Sequence, residues 1–393
     1  MTTSGTGHRI APPVRRDSRV MPLELFFDLV FVLALTQCTA LMAKEPTWQG
    51  LAKGLLVLGV LWWAWVGYAW LTSVVDPEEP LVRSTMFAAM GALLIVALAV
   101  PEAFGDLALL FACAYAFVRV AHIALFVIIG RDDPAFLRST TGLAVGTAIG
   151  FSLLVAASFT DGLTQGLLWA IALALDVGEP YVFGSEGWRL EPGHFAERHG
   201  LFVIIALGES IVAIGIGAEH GVDVGVAVAA VLGIAISAAL WWLYFDVVAL
   251  VAERRLHDAA PGKERNEIAR DSYSYLHFPM VAGIVLLALG LKKSLEHVGD
   301  PLHAEPATAL LGGIALYLLA HVAFRWRNVH RFSTQRVVAA VVLVALIPLA
   351  VEVPAVATMG IATAVLVALI AWETIRFAEL RERLRHQAAE HPA

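Results

Sequence analysis

In a chain of 393 residues, 59% are hydrophobic before the 32 glycines are counted and only 16% are charged, a composition too apolar for a water-soluble globular protein. The 27 basic and 34 acidic residues leave a net charge of −7, so there is no basic excess to neutralise phosphates and no nucleic-acid partner is expected. At about 20 apolar residues per crossing, the length holds about a dozen spans and no sizeable soluble domain.

Residues 1–22 form a polar leader carrying Arg9, Arg15, Arg16 and Arg19. The apolar run over 23–43 is longer than the ~7–15 residues of a signal core and carries Glu24 and Asp28, so it reads as a retained first span. Further apolar windows follow at 49–73, 82–101, 106–130, 139–159, 163–183, 195–217, 223–252, 266–292, 306–326, 334–352 and 355–377. The predicted fold is therefore all-α, a polytopic integral membrane bundle of about 12 helices. Its divisions are a six-helix half over 23–183, a connector over 184–194, a second half over 195–377 and a basic tail over 378–393.

An even number of spans puts both termini on one side of the membrane. With the N-terminus in the cytoplasm, 22 of the 27 Lys and Arg residues fall on cytoplasmic segments, Arg119 falls inside a span and only Lys44, Lys53, Lys292 and Lys293 fall outside. Both termini are thus expected in the cytoplasm. The tail arginines Arg376, Arg381, Arg383 and Arg385 continue this orientation signal or contact anionic lipid.

The halves resemble each other. Aligning Glu24 with Glu197 lays ELFFDLVFVLALTQ over ERHGLFVIIALGES, a Trp-Trp pair follows in each half (Trp62-Trp63, Trp241-Trp242), and the fourth span of each carries His122 or His321. Six spans per unit return the chain to its starting side, which makes this a parallel six-plus-six repeat. Gly142, Gly146 and Gly150 form a small-residue stripe read as a helix-packing face. Gly178-Glu179-Pro180 and Pro279 mark expected kinks or breaks.

An ionisable side chain at the bilayer centre costs about 2.5–3.5 kcal/mol even on insertion scales, so each is a site hypothesis. Arg119, Asp176 and Glu209 fall near the middle of their windows, and His122 shares a face with Arg119. These four form the expected midplane cluster for substrate or protons, with Asp176 or Glu209 as the anion Arg119 needs. A static ion pair that fixes packing is the competing reading. A second polar layer nearer the cytoplasm is expected from Glu24, Asp28, Glu197, Arg198, His199, Asp246, His277 and His321, with His194 at similar depth.

No metal or cofactor is expected: the histidines match no ligand spacing, and no phosphate-binding glycine motif or nucleophile elbow occurs. Cys38 and Cys113 lie in apolar runs and form no disulfide framework. Trp62, Trp63, Trp65, Trp70, Trp241, Trp242 and Tyr244 read as core or interfacial belt, or as the wall of a substrate cavity.

ELFFDLVFVLALTQ at 24–37, HFAERHGLFVIIALGESIVAIG at 194–215 and WWLYFD at 241–246 resemble the bacterial low temperature requirement A (LtrA) family over nearly the whole chain. The resemblance implies a multi-pass inner-membrane protein of a family named for growth in the cold, and implies no reaction. Three functions follow from the residues. One is a transporter-like protein moving a small polar solute or protons through the midplane cluster. Another is an intramembrane enzyme acting on a lipid or isoprenoid at the cytoplasmic layer. The third is a non-catalytic scaffold in the lipid bilayer.

Overall fold

Proline opens four of the long helices, at Pro22, Pro80, Pro134 and Pro192, where its missing N–H is one the helix could not have used and its fixed φ suits the first turn. Side-chain caps add to this: Asp133 accepts from the amides of Ala135 and Phe136, Glu191 from His194, Thr47 from Gly50 and Asp223 from Val226. The structure, a computed structural model, describes residues 19–182, 184, 188–219 and 221–378. Arg9, Arg15, Arg16, Arg381, Arg383 and Arg385 lie outside the described residues.

The first half comprises α1 (Pro22–Lys44), α2 (Trp48–Val74), α3 (Pro80–Ala99), α4 (Ala108–Gly130), α5 (Pro134–Ala157) and α6 (Gly162–Val182). The second comprises α7 (Pro192–Gly217), α8 (Val224–Phe245), α9 (Val248–Asp258), α10 (Lys263–Ile268), α11 (His277–Glu296), α12 (Ala304–Ala307), α13 (Gly313–Val329), α14 (Thr334–Ala345), α15 (Ile347–Ala350) and α16 (Ala355–Arg376). Among the described residues there is no strand; Pro301 and Pro354 form an isolated bridge.

Ten helical stretches among the described residues are long and apolar enough to cross a membrane, where the sequence windows number twelve. The two others are α6, which carries Gln165, Asp176, Glu179 and Pro180 in its 21 residues, and the shorter apolar stretch Thr334–Ala350. The window 223–252 is not one rod: it turns after Phe245, and α9 carries Glu253, Arg254, Arg255 and His257 on an amphipathic helix.

Expected breaks are also relocated. α6 runs through Pro180 to Val182, because a proline near its end removes a single bond. Pro279 sits in the first turn of α11, where it is tolerated, and the irregularity lies before it: Ala269–Tyr275 is a π turn. That turn buries Ser272, Tyr273 and Ser274, and Tyr275 donates its hydroxyl to the Val177 carbonyl of α6.

In the first half α1 packs on α2 and α3, α3 on α4, α4 on α5, α5 on α6, and α6 on α2. In the second, α7 packs on α8 and α11, α11 on α13, α13 on α14, α14 on α16, and α16 on α8. The halves meet where α1 and α2 lie against α7 and α11. Helices α2 and α11 are buried nearly all round, whereas Leu94, Phe117, Val120, Ile149, Val231, Val341 and Val367 face outward from the other helices. Gly146 and Gly150 face α6, in ordinary contact with Glu179 and Ala172, so that stripe is a packing face. Cys38 is buried and Cys113 exposed.

Candidate functional site

Two buried charge clusters occupy the first half and its junction with the second. On α4, Arg119 places one terminal nitrogen 3.4 Å from Asp176 Oδ1 of α6 and 3.1 Å from Thr147 Oγ1 of α5. Its other terminal nitrogen donates toward the Trp63 carbonyl at 3.4 Å, and Tyr115 donates to Asp176 Oδ2 at 3.1 Å. Arg119 is 1% exposed, so the carboxylate is the partner that makes a guanidinium tolerable at this depth. His122, one helical turn on, is equally buried against the Gly67 backbone, and neither of its ring nitrogens forms a well-made hydrogen bond.

The second cluster joins the N-terminal ends of α1 and α7. Arg198 donates to Glu24 Oε1 at 2.9 Å, to Thr72 Oγ1 at 3.1 Å and to Asp28 Oδ1 at 2.6 Å. His194 Nε2 lies 2.9 Å from the same Glu24 oxygen and its Nδ1 lies 3.0 Å from Ser73 Oγ, while Trp65 donates its indole N–H to Asp28 at 2.8 Å. All four ionisable groups are sealed from solvent. Helical spacing explains the fit: Glu24 and Asp28 are one turn apart, as are His194 and Arg198, so each helix offers one face.

Beside it runs a layer of histidines and tyrosines. His199, His277 and His321 each donate Nδ1–H to a carbonyl, of Phe195, Ser272 and Tyr317 respectively, which leaves each Nε2 free to accept. Tyr244 uses one of these, donating to His277 Nε2 at 2.8 Å. The Nε2 atoms of His199 and His321 and the Tyr273 hydroxyl have no partner. Ring centroids of His199 and His277 are 5.3 Å apart, and Tyr273 stacks on His277 at 5.2 Å. Among the described residues no three His, Cys, Asp or Glu side chains are grouped to hold a metal ion.

Two cavities reach polar groups. One, of about 70 Å³, is bounded by α2, α4, α5, α6 and the π turn at Ala269–Tyr275 and is lined by Trp63, Trp70, Arg119, His122, Glu179, Trp188 and Arg270 among others. The other, of about 320 Å³, is bounded by α8, α9, α13, α14 and α16 and includes Asp246, Arg325, Arg336 and Glu373. In that second cavity Arg336 clamps Glu373 through two bonds of 2.9 Å.

The expected clusters are therefore regrouped. Of the four midplane residues, Arg119, His122 and Asp176 come together. Glu209 does not join them: it lies between α7 and α1, where Thr36 donates to it at 2.5 Å. Of the second layer, Glu24, Asp28 and Arg198 form one network and His199, His277 and His321 the adjoining one. Glu197 is exposed on the other face of α7 and accepts from the Val20 amide, and Asp246 is half-buried on the larger cavity. Sequence reasoning did not single out Tyr115, Thr147, Tyr273 or the Arg336–Glu373 pair as site residues, and it took Glu179 only as part of a helix-breaking motif.

The sequence profile described as bacterial low temperature requirement A protein (LtrA) matches residues 19–371. An uncharacterised protein of Rhizobium meliloti (strain 1021) is 31% identical over 308 residues, covering 75% of this chain and 74% of its own length. No solved structure matches the chain.

Proposed function

This chain belongs to the bacterial low temperature requirement A family, and we propose that it is a transporter-like membrane protein that admits a small polar solute or protons to the cavity beside Arg119. The observation that carries this reading is that cavity: within an apolar bundle, it opens onto a guanidinium, an imidazole and the Glu179 carboxylate. Arg119 and Asp176 alone would serve as a static pair; a space lined by further polar groups is what a passing solute needs.

We extend the proposal to a six-plus-six parallel repeat with twelve crossings. Its support is the correspondence of packing pairs, in which α1–α3, α3–α4, α4–α5, α5–α6 and α2–α6 have counterparts in α7–α11, α11–α13, α13–α14, α14–α16 and α8–α16. The two cavities occupy corresponding places between those helices. Both termini then lie on one side, in the cytoplasm of a cell whose inner membrane holds the protein. Reporter fusions at residues 18 and 378 should both be active only as cytoplasmic reporters; opposite behaviour at the two ends would require an odd number of crossings.

The functional test is solute-linked proton movement in proteoliposomes, over a panel of amino acids, amines and polar lipid precursors. Wild type should move at least one solute, and Glu179→Gln should lower that flux at least tenfold while leaving the melting temperature unchanged. A flux that survives Glu179→Gln removes the cavity from the mechanism. No observation favours the enzyme reading, because His199, His277 and His321 are sealed inside the bundle.

A further inference from the structure

We propose that the cavity of the first half binds a small primary ammonium ion, held by the Glu179 carboxylate and the His122 ring among three indoles. The inference rests on the reading of this cavity given above and names the class of solute it takes.

Charge balance decides the sign of the ligand. Arg119 is paired with Asp176 at 3.4 Å, and Arg270 is held 2.7 Å from Asp271 with its guanidinium 4.1 Å from the centre of the Tyr181 ring. Each arginine on the cavity wall therefore has a carboxylate beside it, Asp271 being shared with Arg327 at 3.0 Å. Glu179 has the opposite situation: it is 9% exposed, lines the cavity, and among the described residues makes no hydrogen bond or ion-pair contact. On the same wall His122 is 1% exposed with both ring nitrogens lacking a partner. The His122 nitrogens are buried without partners and the Glu179 carboxylate opens onto the cavity, so an occupant that supplies N–H donors meets both.

The rest of the wall suits the same ion. Trp63, Trp70 and Trp188 line the cavity, and indole is the aromatic ring that attracts a cation best. These rings are fixed: Trp70 donates its N–H to Ser274 Oγ at 3.0 Å, Trp188 packs edge-on against Trp70 at 5.6 Å, and Trp63 against Tyr275 at 5.2 Å. Size sets the class further. At about 10–15 Å³ of such space per water, some 70 Å³ takes a head group of a few heavy atoms, too small for a lipid. A primary ammonium has three N–H groups for Glu179 and His122, which a quaternary ammonium lacks. In the corresponding cavity of the second half the carboxylate is already occupied, Glu373 being clamped by Arg336, so the site belongs to the first half alone.

The test is calorimetric titration of the purified full chain in detergent and an amine-free buffer, with methylammonium, ethylammonium, tetramethylammonium and acetate. The expected result is saturable binding of the two primary ammonium ions, with tetramethylammonium at least tenfold weaker. Glu179→Gln should weaken methylammonium at least tenfold and Trp70→Phe severalfold, while Asp246→Asn, in the other cavity, binds as wild type; melting temperatures establish that each variant is folded. Folded wild type that binds acetate but neither primary ammonium overturns the proposal, as does a Glu179→Gln variant of unchanged affinity. Binding without flux in proteoliposomes upholds this site and overturns the transport reading. Flux of another solute that needs Glu179, with no ammonium binding, overturns this site and upholds transport.

Discussion

Arg198→Met is expected to leave little folded protein in detergent, and adding Glu24→Gln and Asp28→Asn to the same chain is expected to restore most of it. In the native structure one guanidinium answers two carboxylates, at 2.9 and 2.6 Å, with no exposure of any of the three side chains. Removing it takes away the cation that both acids share where neither water nor salt reaches them, leaving Glu24 to His194 and the Met21 amide and Asp28 to Trp65, a loss of about 3–5 kcal/mol for a broken buried pair. Replacing all three charges by neutral groups of similar volume removes the uncompensated charge together with its penalty, which is why such replacements are often neutral. His194, 2.9 Å from Glu24, keeps a hydrogen-bond partner in the triple variant because the amide of glutamine accepts as the carboxylate does. The measurement is the melting temperature and the monodisperse fraction after solubilisation. An Arg198→Met protein that melts with wild type would mean that this network contributes nothing to joining α1 to α7.

Every ionisable member of that network is expected from the sequence in the cytoplasmic layer, but the pairing of Arg198 with Glu24 and Asp28 is not, whereas Asp176 is an expected partner of Arg119. Glu24 with Asp28, and His194 with Arg198, are one turn apart, so their sharing of a face follows from helix geometry alone. Position along a window gives depth, and for Arg119 and Asp176 depth sufficed. It gives no azimuth and no neighbour. Glu209 has the right depth, yet α7 turns it toward Thr36 of α1 and away from α4. Glu197 fails for the same reason on a smaller scale, since one residue from Arg198 is about 100° around the helix. Glu179 was hidden by its neighbour: beside Pro180 it looked like part of a helix break, and only the continuation of α6 through that proline puts it on the cavity wall. The count of crossings suffers from a related ambiguity, because the polar residues that α6 turns toward Arg119 and the cavity are the ones that lower its hydropathy.

Gly283→Leu is expected to be among the most damaging single apolar substitutions in the bundle. A Cβ at Gly283 would stand 2.5 Å from the Gly313 carbonyl oxygen and 2.9 Å from the Tyr317 amide nitrogen; one at Gly313 would stand 2.6 Å from the Gly283 carbonyl oxygen. Two turns along α11, a Cβ at Gly290 would meet the Leu310 backbone at 2.6 Å. These are backbone-to-backbone approaches, so no rotamer change relieves them, and inside a membrane such close packing is a main source of helix association. Alanine at Gly283 already forces α11 and α13 apart, at about 1–3 kcal/mol for an overpacked interface, and leucine exceeds that range. The separation spreads because Tyr317, on the same face of α13, donates to the Leu240 carbonyl at 2.8 Å and packs on His321 at 4.3 Å. Gly91 of α3 is the matched control, since a Cβ there meets nothing within 4 Å, and Gly91→Ala should stabilise its helix by about 0.5–1 kcal/mol. Melting temperatures of the three variants give the comparison. Equal melting of Gly283→Leu and wild type would refute the α11–α13 crossing, and with it the shared framework that holds Tyr317 and His321 against Tyr244.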